Sequence, residues 1–317
     1  LSTVILPPLT DDRSAAIIGS QFCSFPTFAG GTQVACNGSN INPIALRILQ
    51  MKSPNGGYVI PTPQVLQSNG LGRSFFSQPS FWNENQYLGN LDYVVTKRNT
   101  LAGRFLYSNV NPLRTFGAAN TSPAFLPGGP QTLQSSNYVT SAKLTTTLTP
   151  NLVNEARMAY SRTRSVGVGP GLPTATSMGM VAVNPFFDEV PQMSISGSLG
   201  SFQFFGNDTN DSSDFGSNYS WADNLSWIHG KHAIRAGFFM DVDNPTSFDL
   251  GLSRGKITFQ NFTDFLLGQS AAENGSSEDL SNIDSIFASE GTGPHGEVQN
   301  RRRTLTHSAY VEDDINW

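Results

Sequence analysis

The sequence predicts an all-β chain forming part of an antiparallel transmembrane β-barrel, about six to eight strands of a larger barrel with long extracellular loops. Three observations carry this prediction. Apolar and polar side chains alternate with period two over runs that match the roughly 9–11 residues a tilted strand needs to cross a bilayer. The connections between runs switch between very short and very long. Mid-strand charges fall on one side of the runs, aromatic residues on the other.

Composition sets the frame. Of 317 residues, 38% are hydrophobic and only 14% charged, below the roughly 25% charge of soluble domains. Gly (30) and Phe (22) are abundant, and Ser, Thr and Asn fill much of the rest, which suits short strands joined by polar loops. A net charge of −5 gives no reason to expect nucleic acid as a partner. There is no apolar run of about 18 residues, hence no transmembrane helix in the sequence. With no initiator Met and no signal peptide, the chain reads as an internal fragment. Cys23 and Cys36 lie in a Gly-, Pro- and Asn-rich stretch. A loop disulfide between them fits an extracytoplasmic location, and two free thiols are the alternative.

Residues 1–80 are rich in Pro and show little periodicity, so they read as a long structured loop before the barrel strands of 81–317. The exception is 42–52, where Ile44, Leu46, Ile48 and Leu49 could cover one face of a short helix.

Strand pairs follow. Over 86–108, Tyr87, Gly89, Leu91, Tyr93 and Val95 share a face opposite Gln86, Asn90 and Asp92. After the turn "TKRN", Leu101, Gly103, Phe105 and Tyr107 alternate with Ala102, Arg104 and Ser108. Over 137–163, turning at "TPN", Tyr138, Ala142, Leu144 and Leu148 oppose Asn137, Ser141, Lys143 and Thr145; Leu152, Ala156, Met158 and Tyr160 then oppose Glu155, Arg157 and Ser161. Over 219–241, turning at "HGK", Tyr219, Trp221, Leu225 and Trp227 share a face, and Ile234, Ala236, Phe238 and Met240 oppose Arg235 and Asp241. Weaker strands are expected near 255–267 and 304–315.

Between pairs the connections are long (109–136, 164–218 and the stretch after 241), although loops beyond about 15 residues are uncommon in compact soluble domains. Because they recur on every second connection, all emerge at one rim, as in outer-membrane barrels. In hydrocarbon every backbone N–H and C=O must be paired, which strands achieve only in a closed barrel. Apolar groups then face lipid and polar ones face a wet lumen. The candidate lumen residues are Asp92, Arg104, Lys143, Glu155, Arg157 and Arg235; the candidate lipid-facing and girdle residues are Tyr87, Tyr93, Phe105, Tyr107, Tyr138, Tyr160, Trp221, Trp227 and Phe238. An Arg at the lipid-facing midplane would cost about 2–4 kcal/mol, so the three arginines fix the register. Asp223 falls on the outward face, which demands a β-bulge or a different register in that strand.

Five phrases in this order, "NENQYLGNLDYVVTKRNTLAGRFLYS", "LTTTLTPNLVNEARMAYSRT", "NLSWIHGKHAIRAGFFM", "ITFQNFTDFLLGQS" and "SAYVEDDIN", together with the loop "NPIALRILQMKSPNGGYVIP", resemble the barrels of TonB-dependent receptors of the Oar-like group. The resemblance implies a plugged barrel of about 22 strands. It also implies energised import through a periplasmic TonB complex, a bulky ligand such as a siderophore, glycan or peptide, and often a carboxypeptidase-regulatory-like domain upstream. No plug, TonB box or upstream domain occurs within these residues. Two other functions fit the residues: a passive porin, and a secreted β-rich adhesin or glycan-binding module.

Other chemistry is weakly signalled. His229 and His232 flank a hairpin turn, His295 and His307 lie apart, and "NDTNDSSD" (207–214) reads as a solvated loop lacking the Gly and terminal Glu of a calcium loop. Arg301, Arg302 and Arg303 read as a barrel rim. The adjacent carboxylates Asp188–Glu189 and Asp313–Asp314 point apart on a strand, and no nucleophile elbow, zinc-protease helix or Walker loop occurs. Neither an enzyme nor a cofactor is expected.

Overall fold

The computed structural model describes residues 2–53, 56–116, 126–169, 171–206, 212–249, 253–288 and 298–315. The chain begins with β1 (Ser2–Leu6), α1 (Ala15–Phe22), α2 (Pro43–Gln50), β2 (Val65–Leu66) and β3 (Gly72–Phe76). Next come β4 (Glu84–Thr96), β5 (Asn99–Val110), β6 (Leu113–Arg114), β7 (Gln131–Thr149) and β8 (Leu152–Val168). β9 (Gln192–Ile195) and β10 (Phe202–Phe204) occupy the following connection, before β11 (Ser212–His229) and β12 (His232–Asp249). β13 (Lys256–Phe259), α3 (Phe262–Leu267), α4 (Ala271–Asn274) and β14 (Ser285–Phe287) precede β15 (Val298–Arg301) and β16 (Thr304–Ile315).

The long strands make one nine-stranded sheet in the order β15-β12-β11-β8-β7-β5-β4; β16 continues the track of β15 along β12, and β6 pairs with β7. All of its pairings are antiparallel. The sheet is open, with β4 and the β15–β16 track as its outer strands among the described residues. Bare edges are not tolerated in hydrocarbon, so this is a section of barrel wall and not a closed barrel.

The strands run further than their alternation predicts. β7, β8, β11 and β12 contain 19, 17, 18 and 18 residues. The extra length lies at the long-connection end, in polar sequence such as "QTLQSSN" and "SSDFGSN". The predicted turns tighten correspondingly: only Lys97–Arg98, Pro150–Asn151 and Gly230–Lys231 lie between paired strands, with Gly230 at φ 61°. Irregularities in register at Val94/Thr96 and Thr147/Thr149 absorb the residues left over.

Residues 1–80 are more than a loop. Together with the long connections they build a second body around its own core, which includes Phe22, Ile48, Leu49, Met193, Ile195, Phe202, Phe204, Phe262 and Leu266. It contains two small sheets, β1-β3-β2 and β10-β9-β13-β14, linked by a bridge between Ile5 and Ser201. α2 starts where Asn42 accepts from the Ile44 N–H and Pro43 takes the first helical position. Its buried side is Ala45, Ile48 and Leu49; Ile44 and Leu46 pack at the margin, so the predicted apolar face is rotated. Cys23 and Cys36 are joined by a disulfide, with Cα atoms 4.9 Å apart. Since all these connections leave one end of the main sheet, the second body caps that end.

The weak strand expected over 255–267 is corrected. β13 covers only Lys256–Phe259 and pairs with β9 and β14 in the cap, not in the main sheet. α3 follows because Asn261 caps the Phe262 N–H and Gly268 closes the helix at φ 57°. Phe262, Phe265 and Leu266 then recur at helical spacing and are buried. The strand expected over 304–315 is β16.

Candidate functional site

Cross-strand neighbours share a face, so the registers assign every side chain of the main sheet to one of two sides. The first side gathers Asp92 (β4), Arg104 (β5), Lys143 (β7), Glu155 and Arg157 (β8), and Arg235 (β12). Asp92 lies opposite Ala102, which lies opposite Lys143, which lies opposite Arg157, which lies opposite Ala222. Directly opposed cations destabilise a strand pair. Here Glu155 relieves the repulsion: its carboxylate meets Lys143 Nζ at 3.3 Å and also contacts Arg157. Arg104 sits between Asn90 and Ser141 and has no ion pair among the described residues.

Small side chains such as Ala102, Ala159 and Ala222 form a floor, over which Asp92, Arg104, Lys143 and Arg157 border a recess of about 550 Å³. It presents three cations and one carboxylate, with the second carboxylate, Glu155, bridging two of the cations. Such a surface can hold anionic or hydroxyl-rich solutes by charge-assisted hydrogen bonds. Arg235 stands apart, opposite Glu312 and 3.7 Å from Asp314, an exposed and weak pair. Neighbouring strands are also joined on this side by Asn218 Nδ2 donating to Asp241 Oδ2 at 2.8 Å.

The second side carries all nine predicted girdle and apolar positions: Tyr87, Tyr93, Phe105, Tyr107, Tyr138, Tyr160, Trp221, Trp227 and Phe238. Near the cap end the tyrosines form a belt. Ring centroids are 6.0 Å apart for Tyr87–Tyr107, 4.7 Å for Tyr107–Tyr138 and 4.9 Å for Tyr160–Tyr219. Trp227 marks the opposite end, eight residues of strand below Tyr219, which is roughly 26 Å along β11. Between these ends the apolar side chains are open to their surroundings, with Leu91 65%, Met158 57% and Phe238 47% exposed.

Asp223 requires a correction. It stays on the apolar side, yet neither a bulge nor a shifted register is present: β11 pairs without interruption with both β8 and β12. Asp223 is instead paired, accepting from Asn154 Nδ2 at 2.5 Å. Sequence could not show this, because Asn154 comes from a strand 69 residues away.

The histidines are engaged separately. His229 stacks on Trp227 at 5.2 Å, His232 Nδ1 lies 2.7 Å from Asp313, and His307 is opposite Met240. His295, and Asp208, Asn210 and Asp211 of the acidic loop, lie outside the described residues. Asp214 is in β11 opposite Ser165 and Ser247. Arg301 lies in β15 opposite Thr246, and Arg302 donates to Asn300 Oδ1 at 3.3 Å.

A family model described as "Outer membrane beta barrel domain" matches residues 1–317. Among solved structures, the outer membrane transporter YddB from Escherichia coli is similar at 11% identity and a TM-score of 0.44, over 78% of this chain. The match spans 26% of that transporter's length. No curated protein matches in sequence.

Proposed function

Given that the chain belongs to the outer membrane β-barrel domain family and resides in the bacterial outer membrane, we propose that it is a wall segment and loop cap of a TonB-dependent receptor. In this reading the polar side lines a wet lumen and the apolar side meets lipid. The cap gathers a bulky solute from outside, and the Arg104–Lys143–Arg157 surface contacts it on its way inward.

The observation that carries the reading is the segregation of side chains. Asp92, Arg104, Lys143, Glu155, Arg157 and Arg235 occupy one side, while the tyrosine belt and the exposed apolar band occupy the other. Water on both sides would leave a large apolar patch unexplained. A dry environment on both sides would strand the cations. The cap adds support: connections folded around a buried core make a shaped surface for capture, more than a passive pore needs. The TonB-dependent step rests on the resemblance of the five strand phrases.

Single cysteines test the two sides. At Arg104 and Arg235 they should react with a membrane-impermeant maleimide in intact outer membranes; at Leu91, Phe105 and Phe238 they should be protected until detergent is added. The reverse pattern would refute the barrel reading. The energised step is tested separately with the full-length protein: uptake that persists after the proton gradient is collapsed would leave a passive porin in its place.

A further inference from the structure

Two arginines of β8 are on the wrong side, and Arg301 of β15, opposite Thr246, shares that side three strands away. Arg162 and Arg164 of β8 are on the apolar side, since Arg162 is opposite Tyr138 and Ser217, and Arg164 opposite Ser136 and Phe215. A guanidinium facing hydrocarbon carries a heavy penalty at the bilayer midplane, and the penalty fades toward the interfaces. Their position suits that gradient. Arg162 is in the same cross-strand row as Tyr138, Tyr107 and Tyr87, and Arg164 is one step, about 7 Å of strand, farther toward the cap.

Both side chains are exposed, and neither has an ion pair among the described residues. The nearby carboxylates cannot reach round the sheet: Asp214, Asp241 and Asp243 occupy the alternate positions of β11 and β12, on the polar side. A hollow of about 520 Å³ opens here, bordered by Arg162, Arg164, Ser136, Tyr138 and Tyr160. It combines two planar cations, a hydroxyl and aromatic faces at the level where acyl chains give way to headgroups. Arginine forks match phosphate oxygens in a bidentate manner.

Resting on the lipid-facing assignment above, we infer that Arg162 and Arg164 form a binding site for the sugar-linked phosphate of an outer-leaflet glycolipid, with the tyrosine belt packing against its acyl chains. The short turns place this end of the sheet at the outer leaflet. Charge complementarity selects a phosphate; the belt beneath selects one attached to a lipid.

The test uses the full-length receptor in detergent, titrated with bisphosphorylated lipid A, and native mass spectrometry counts the adducts. The expected result is an adduct that weakens at least tenfold in R162A/R164A and is retained in R162K/R164K to an intermediate degree. It should be outcompeted neither by phosphatidylglycerol nor by millimolar inorganic phosphate. Equal retention of a phosphate-free lipid A overturns the inference, as does an adduct unchanged in R162A/R164A. Displacement by phosphatidylglycerol overturns it in favour of general attraction to anionic lipid, and displacement by inorganic phosphate in favour of a free-anion site. A polarity-sensitive probe at Leu91→Cys or Phe238→Cys in nanodiscs separates the two readings. Water at these positions defeats the lipid-facing assignment itself, whereas lipid there together with a failed titration defeats only the glycolipid site.

Discussion

The Tyr310 hydroxyl on β16 donates to Asn224 Oδ1 on β11 at 3.0 Å by lying across Gly237 on the strand between them. Gly237 makes this possible: a Cβ there would fall 2.4 Å from the Tyr310 ring and 2.5 Å from Asn224 Oδ1. Three strands are thus stapled on the polar side, and the phenol covers the gap a strand glycine leaves. Gly237→Ala should displace the ring, break the bond and destabilise the protein by about 1–3 kcal/mol. Tyr310→Phe should cost only about 1 kcal/mol, and adding it to Gly237→Ala should change little. Urea unfolding in lipid vesicles measures all three; full additivity would show that the ring and the glycine act independently.

Asp223 on the apolar side should be a net liability. If the apolar side meets lipid, as proposed, its bond to Asn154 offsets only part of the cost of holding a carboxylate against hydrocarbon. Asp223→Leu combined with Asn154→Leu should therefore stabilise the folded protein by about 1–2 kcal/mol in vesicles. Asp223→Leu alone should gain less, since it leaves the Asn154 amide only its long bond, 3.4 Å, to the Asn224 carbonyl oxygen. A destabilised double variant would mean that this part of β11 faces protein or water.

Glu155 holds two cations together, so removing it should do more than remove one ion pair. Glu155→Gln leaves Lys143 and Arg157 opposed without a counter-ion. Lys143 and Arg157 are about half exposed, so solvent screening limits the expected loss to below about 1 kcal/mol. The clearer readout is functional: with more positive charge on the polar side, passage of an anionic solute should rise and that of a cationic one fall, as measured by liposome swelling.

How much of this was legible beforehand depends on what faces each segment. The strand cores are legible because alternate residues carry opposite polarity: Arg104 and Phe105 are adjacent in sequence yet belong to opposite faces. The outer extensions of β7, β8, β11 and β12 are not, because segments such as Ser212–Asn218 carry almost no apolar alternation. The cap hides from sequence for another reason. Its core joins Ile48 to Phe262 and Met193 across long sequence separations, and each contributing run, such as Lys256–Phe259, is too short to show a period. The Asp223–Asn154 and Tyr310–Asn224 bonds depend on register between distant strands, which no local pattern encodes.

The cap should lose stability in acid through its capping box. Hydrogen bonds from the backbone N–H and hydroxyl of Ser270 hold the Glu273 carboxyl below the usual carboxylate range. The folded pKa is thus below the unfolded one, so the contribution is present above the ordinary Glu range and disappears as pH falls through the folded value. Protection factors at Glu273 and Asn274, corrected for intrinsic exchange, should fall over that interval in the wild type, and Glu273→Gln should remove that pH dependence. An unchanged pH profile in Glu273→Gln would assign the acid sensitivity to other carboxylates.

Asp264 should prove the most sensitive single position in the cap. It is 1% exposed and accepts from the Phe28 N–H at 2.7 Å, the Ala29 N–H at 3.2 Å and Asn282 Nδ2 at 2.8 Å. It thereby ties the disulfide-bearing segment before α2 to α3 and to the chain ahead of β14. Asp264→Ala leaves two buried donors (Ala29 N–H and Asn282 Nδ2) and one part-buried donor (Phe28 N–H) without this acceptor and should cost about 3–5 kcal/mol, more than the roughly 3 kcal/mol expected from opening the 13-residue Cys23–Cys36 loop by Cys→Ser substitution of both residues. Hydrogen exchange followed by peptide mass spectrometry should then show lost protection over Thr27–Ala29 and α3, with β7, β8 and β11 unaffected, because the cap and the main sheet have separate hydrogen-bond ladders. Loss of protection in the long strands as well would mean that the cap and the barrel wall unfold as one cooperative unit.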